Sequence, residues 1–236
     1  MSKNIAELRK KIKALHSRKV ADTMQWFFKT GKGEYGEGDI FAGLKVPVQR
    51  KIAKEFRNLS LAEIKQLLGS RIHEERLISL FILVDQYSNG SEKEKEKIYN
   101  FYVQNRKGIN NWDLVDLSAP KIVGKHLLGK DKSILFKFAQ SKNLWERRIG
   151  ILSTYEFIRN NNFKPTLEIA EILLNDEHDL IHKAVGWMLR EVGKKDLQTE
   201  EKFLRKYYKT MPRTMLRYAI EKFPESKRKK YLKGKI

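Results

Sequence analysis

The sequence contains no cysteine, which excludes disulfides and thiolate metal sites. Histidine is sparse: His16, His73, His126, His178 and His182 are the whole set. His178 and His182 stand at i,i+4, but no HExxH surrounds them, so they read as a surface pair and no metal is expected. Long apolar runs are missing as well. The longest, Leu77 to Val84, is interrupted by Ser79 and falls well short of the about 20 residues a membrane-spanning helix needs. The N-terminus carries no apolar stretch of the signal-peptide type. The expectation is a soluble protein of the cytoplasm with no membrane partner. No GK[ST] or GxSxG is present, and nothing suggests a serine or cysteine nucleophile. Gly31 to Gly36 spells GxGxxG, but a helical, aromatic-rich segment precedes it where a nucleotide-binding turn needs a strand, so it reads as a flexible loop.

Acidic residues are in short supply too: 29 Asp and Glu face 49 Lys and Arg, a formal charge of +20. Such self-repulsion adds nothing to the stability of a fold, so the excess points to a polyanionic partner. Nucleic acid ranks first, because every neutralised phosphate releases counterions. Acidic membrane and acidic protein rank behind it, and a merely solvated basic surface is the plain alternative.

What the chain does have is helical periodicity. Ile5, Leu8, Ile12 and Leu15 form one stripe, and Val20, Met24 and Phe27 begin a second. Residues 31–43 read as a loop, after which Pro47 opens a helix at its first turn. Ser60 with Glu63, and Ser91 with Glu94, have capping-box spacing. Further helices are expected at about 61–69, 73–88, 92–107, 111–128, 132–141, 144–160, 166–175, 179–194, 199–209 and 213–223, with no strand. The basic C-terminal run from Lys227 to Lys230 reads as a frayed, solvated tail.

A degenerate repeat runs through these helices. Ser79, Val115, Gly150, Gly186 and Ala219 are separated by 36, 35, 36 and 33 residues, a period that fits stacked helix pairs. The fold expected is all-α: a solenoid of HEAT-like antiparallel helix pairs with a concave basic groove, forming a single domain over 1–236. The residues that follow those small positions are Leu80, Asp116, Ile151, Trp187 and Ile220. A carboxylate in that otherwise apolar row is either a capping or ion-paired residue of a distorted repeat, or a group aimed into the groove.

Three segments, in this order and spacing, resemble the AlkD-type DNA alkylation repair glycosylases: Asn111 to Asp116, Leu144 to Ile151, and Lys183 to Glu191. The loop Gly33 to Asp39, followed by Val46-Pro47, also recurs in related members. The resemblance implies a HEAT-like repeat glycosylase that removes an alkylated base from duplex DNA without flipping it into a pocket, unlike most glycosylases. It implies that Trp112 and Asp116, one turn apart on one helix face, meet the damaged nucleotide. It further implies that Trp187 faces them and that Arg148 contacts the backbone beside the lesion. Lys183 and Arg190 bracket Trp187 and are candidates for the same backbone. Where relatives carry a tyrosine, this chain has Phe27, so any hydrogen bond from a phenol is lost. As plain structure, Trp26 to Phe28 read as core and rim aromatics, each tryptophan as a core anchor, and Arg148 as half of an ion pair between helices.

The chemistry that these residues permit is narrow. Alkylation at N3 or N7 makes a purine cationic, and the base departs neutral without a general acid. The sugar left behind is oxocarbenium-like. A carboxylate at Asp116 stabilises it electrostatically and can orient water. Trp112 and Trp187 would exclude bulk water and present electron-rich faces to the developing charge. A lone carboxylate suits a bond that is already weak, so the expected lesions are cationic ones such as N3-methyladenine and N7-methylguanine. No cofactor is expected, and the expected partner is double-stranded DNA containing alkylated bases, bound by a monomer. The competing readings are a non-catalytic HEAT-like protein that grips branched or distorted DNA, and a helical scaffold for proteins.

Overall fold

The computed structural model describes residues 4–236, and among them every regular element is helical. The only β-type pairing is an isolated parallel bridge between Ile40 and Ile72. The chain divides into two compact units, Met1–Ser118 and Ala119–Ile236. No helix among the described residues is long and apolar enough to cross a membrane.

The first unit carries α1 (Ile5–Ala14), α2 (Arg18–Phe27), α3 (Val46–Glu55), α4 (Leu61–Leu68), α5 (His73–Asn89), α6 (Glu92–Gln104) and the start of α7 (Trp112–Ala119). Pro47 stands in the first turn of α3, where its missing N–H costs nothing. Both expected capping boxes form: Ser60 with Glu63 on α4, and Ser91 with Glu94 on α6. Helix α5 is the hub, packing against α3, α4 and α6. Ile78, Leu80, Ile82 and Leu83 are sealed on all sides of it. This is why the run from Leu77 to Val84 is apolar on every side, broken only by Ser79, rather than striped.

The loop between α2 and α3 is pinned rather than loose. The Glu74 carboxylate, fully buried, accepts N–H groups from Ala42, Gly43 and Leu44 at 2.9, 2.8 and 3.1 Å. Gly43 has φ +80°, and a Cβ there would lie 2.2 Å from the Ser17 carbonyl oxygen, so glycine is required on both counts. The GxGxxG stretch is likewise committed. Glu34 accepts the Gly31 N–H at 2.8 Å, and Glu37 accepts that of Gly33 at 2.9 Å. Two amides that a phosphate would need are therefore held by the chain's own carboxylates.

The second unit carries α8 (Ser133–Ala139), α9 (Leu144–Ser153), α10 (Tyr155–Arg159), α11 (Lys164–Ile172), α12 (Asp179–Lys195), α13 (Leu197–Tyr207), α14 (Arg213–Ala219) and α15 (Glu225–Leu232). Neighbouring helices pack in pairs, α8 on α9 and α12 on both α13 and α14. Gly186 makes the α12–α14 contact possible, since a Cβ there would sit 2.4 Å from the Met215 carbonyl oxygen.

Three expectations are corrected here. The helix expected over 111–128 is interrupted by a π-helical turn, Pro120–Gly124, because Pro120 cannot donate to the helical ladder. The one expected over 144–160 divides at Thr154, whose hydroxyl bonds back to the Ile151 carbonyl at 2.7 Å. The basic C-terminus is not a frayed tail. It folds as α15, sealing Tyr231 to 1% exposure, while Lys227 pairs with Glu201.

That C-terminal packing shelters an unusual acid. Glu200 is 1% exposed, and burial pushes its carboxyl up to about 8 despite Arg190 and Lys227 nearby. The carboxyl is thus neutral in the fold at pH 7. Because its folded pKa exceeds its ordinary value, its contribution to stability is complete below pH 4.5 and is lost as the pH rises through about 8. Glu200→Gln is expected to remove this dependence: between pH 5 and pH 8.5 the thermal midpoint of the wild type should fall by about 5 °C more than that of the variant. Parallel melting curves would refute a neutral Glu200.

Candidate nucleic-acid interface

Trp112 opens α7, and its setting is aromatic. The Phe28 ring stacks on the indole at 5.1 Å and 13°, and Phe28 in turn stacks on Phe41 at 5.0 Å and 24°. Phe27 meets Trp112 edge-on at 6.0 Å. One indole face is therefore covered by core, while the residue as a whole is half-buried. The three consecutive aromatics of α2 divide their labour. Phe28 belongs to the core at 8% exposure, whereas Phe27 is 56% and Trp26 81% exposed. Core and rim was the right description for Phe28 and Phe27. Trp26 lies almost fully in solvent.

One turn on, Asp116 is half-buried. Its negative charge is felt by the buried Tyr102 phenol, which burial and this charge hold above the usual tyrosine range. Tyr102 shares a 2.9 Å hydrogen bond with Ser118, so the floor beneath Asp116 is a polar contact between α6 and α7.

The repeat register gives Asp116 and Trp187 a common property. The small positions Ser79, Val115, Gly150, Gly186 and Ala219 are all buried. In the row that follows them, Leu80, Ile151 and Ile220 are completely sealed. Asp116 and Trp187 alone in that row reach solvent.

In the second unit, Trp187 is half-buried; its Nε1–H donates to Glu191 at 3.1 Å, and its ring lies 6.3 Å from that of Tyr155. Arg148 is buried at 5% exposure and donates through Nη1 to the Leu180 carbonyl at 2.5 Å. Its neighbour Arg147 meets Asp176, in the connection between α11 and α12, at 2.6 Å. Lys183 pairs with Asp179 at 2.7 Å, and Arg190 pairs with Glu221. Trp112 and Asp116 thus share α7, and Lys183, Trp187 and Arg190 share α12. His178 and His182 are half-buried helix-start residues rather than a free surface pair. His178 accepts the Leu180 N–H at 3.1 Å and His182 contacts the Asp176 carbonyl. Among the described residues no group of His, Asp and Glu could hold a metal ion.

Sequence reasoning missed the polar cluster under Trp112. His73, at 1% exposure, donates from Nδ1 to Asp39 at 3.0 Å and from Nε2 to Asp113 at 2.8 Å. Arg76 meets Asp39 at 2.7 Å, and Asn111 donates to Asp39 at 3.2 Å. Burial alone would lower the imidazolium, but Asp113 and Asp39 outweigh it and raise His73 to about 9. Asp39 is held below the usual carboxylate range by His73 and Arg76, against the opposing effect of burial. The only hint in the sequence was the choice of residues: a histidine opening an apolar helix, and Asp113 directly after the tryptophan.

The sequence profile described as "DNA alkylation repair enzyme" matches residues 8–223. Among solved structures, the chain is similar to one titled "Predicted DNA alkylation repair enzyme from Enterococcus faecalis", with a TM-score of 0.71 and 19% identity. The match covers 89% of this chain and 97% of that one. No curated protein matches the sequence.

Proposed function

Because the chain belongs to the DNA alkylation repair enzyme family, we propose that it is a DNA glycosylase for cationic alkylated purines, N3-methyladenine and N7-methylguanine, in duplex DNA. The observation that carries this reading is the pairing on α7: a carboxylate that reaches solvent from a row whose aliphatic members are sealed, one turn from a tryptophan whose inner face is already packed. A core anchor needs no exposed edge.

Asp116 faces the deoxyribose as the glycosidic bond lengthens and stabilises the positive charge that develops on C1′. It also orients the water that attacks C1′. Trp112 lies against the sugar and keeps bulk water from screening the carboxylate. The base departs neutral without a proton from the protein, and the nucleotide need not leave the stack. Phe27 adds apolar surface where relatives carry a phenol. Trp187 offers a second aromatic face to the DNA, its indole N–H already satisfied by Glu191. Lys183 exchanges Asp179 for a phosphate at little cost, since a surface ion pair contributes only about 0–1 kcal/mol; Arg190, set more deeply against Glu221 and Glu191, is the second candidate phosphate contact on α12. Arg148, fixed by Leu180, contributes a planar donor group that does not have to be ordered on binding. The whole chain is one DNA-binding module in this reading, and it acts as a monomer in the cytoplasm.

The test is to incubate the protein with methylated duplex DNA and to look for free 3-methyladenine and 7-methylguanine by chromatography. Release supports the proposal, and tight binding without release leaves a non-catalytic DNA-binding protein. Duplex affinity is expected to fall by roughly tenfold or more between about 50 and about 200 mM salt. A salt-independent affinity would point to a protein partner instead.

A further inference from the structure

The polar cluster under Trp112 has no part in the chemistry proposed above, and it is costly to maintain. Burying a charged imidazole and a guanidinium with two carboxylates gives up hydration that well-packed apolar side chains would not need. What distinguishes the cluster is where its bonds end. Asn111 and Asp113 flank Trp112 in sequence. Asn111 accepts the Trp112 N–H through Oδ1 at 2.8 Å while its amide donates to Asp39. Asp113 accepts the Leu114 N–H through Oδ1 at 2.8 Å while its other oxygen accepts from His73. Both neighbours of the tryptophan therefore bond to the first turn of α7 with one atom and to the cluster with another. The same histidine also supports the indole from below. Its ring lies 4.6 Å from Phe41 and 5.0 Å from Phe28, and Phe28 stacks on Trp112.

We propose that His73 is a positioning residue. Through Asp113, and through Asp39 with Asn111, it fixes the first turn of α7 and so the placement of Trp112 and Asp116. This rests on the glycosylase reading for its catalytic consequence, but the coupling of His73 to Trp112 does not. The groups that face the imidazole are Asp39 from the α2–α3 loop, Arg76 from its own helix, and Asp113 with neutral Asn111 from α7. Phe28 and Phe41 cover the ring. With His73 charged, both ring nitrogens donate and both aspartates are satisfied. When the proton leaves, one ring nitrogen stops donating: loss at Nε2 frees Asp113, which is bonded to the first turn of α7, and loss at Nδ1 weakens the hold on Asp39, to which Asn111 is tied. The elevated value of about 9 keeps the charged form dominant at neutral pH.

The coupling is read without DNA, from the 19F spectrum of protein labelled with 5-fluorotryptophan, in which Trp112 is assigned by Trp112→Phe. In the wild type, the Trp112 resonance is expected to move as the pH rises through about 9, and in His73→Gln it is expected not to. A resonance that stays fixed in the wild type, or moves identically in the variant, overturns the proposal. The catalytic arm is single-turnover base release at saturating protein. His73→Gln is expected to slow it by about 10–100-fold, the scale of a misplaced reacting group, with duplex Kd within about twofold. Equal rates overturn the positioning role. Should His73→Gln not fold, Asp113→Asn, which keeps the shape and removes the charge, is held to the same two expectations. If the wild type releases no base yet its Trp112 signal titrates, the glycosylase reading fails and the coupling stands.

Discussion

Replacing Asp116 by asparagine is expected to slow release of 7-methylguanine by about 10²–10³-fold, the usual loss when one preorganised electrostatic stabiliser is removed. Asparagine keeps the size and much of the polarity of aspartate, so the helix, the Tyr102–Ser118 contact and the Trp112 stack should survive. Duplex affinity should hold or rise slightly, because a negative charge has been removed from a surface that meets phosphates. The effect belongs in the chemical step, and single-turnover release at saturating protein isolates it. A rate within about threefold of wild type would remove Asp116 from the mechanism. A parallel loss of binding would instead make it a structural residue of α7.

The second large effect is on stability. Asp39→Ala is expected to cost about 3–5 kcal/mol in chemical denaturation, the range seen when one partner of a buried ion pair is deleted. Asp39 accepts from His73, Arg76 and Asn111 together. Its removal would leave the guanidinium of Arg76, at 3% exposure, without the only carboxylate that it meets in the cluster. The same cluster gives stability a pH dependence whose sign is fixed. His73 titrates higher in the fold than its ordinary 6.5, so its contribution is complete below that pH and disappears as the pH rises through about 9. A loss below about 1 kcal/mol on Asp39→Ala would mean that other contacts hold the loop.

Much of this was legible from residue spacing. Stripes such as Leu8 with Ile12, and Val20 with Met24, are local patterns, and capping boxes span only three residues, so helices and their starts could be read directly. Boundaries failed where a single residue acted against the periodicity, as Pro120 and Thr154 do. The C-terminal helix was misjudged because its charged sequence shows no stripe; one aromatic, Tyr231, anchors it to distant residues. Asp116 and Trp187 stood out because a repeat supplied the expectation that they broke. The His73 cluster had no such frame. Asp39, His73 and Asp113 lie 34 and 40 residues apart, and nothing in a linear pattern distinguishes a buried, doubly paired histidine from a solvated one. The partners of Lys183 and Arg190 were hidden differently: Asp179 is one turn away, yet Glu221 is 31 residues distant.

The central claim is that this chain cleaves only a glycosidic bond already weakened by a positive charge on the base, by placing a carboxylate beside the sugar. The most direct measurement uses two duplexes of identical sequence, one with a single 7-methylguanine and one with a single neutral hypoxanthine, each followed at saturating protein. Release of 7-methylguanine with hypoxanthine left intact is the predicted result. Release of both at similar rates, or of neither while both are bound, would contradict it.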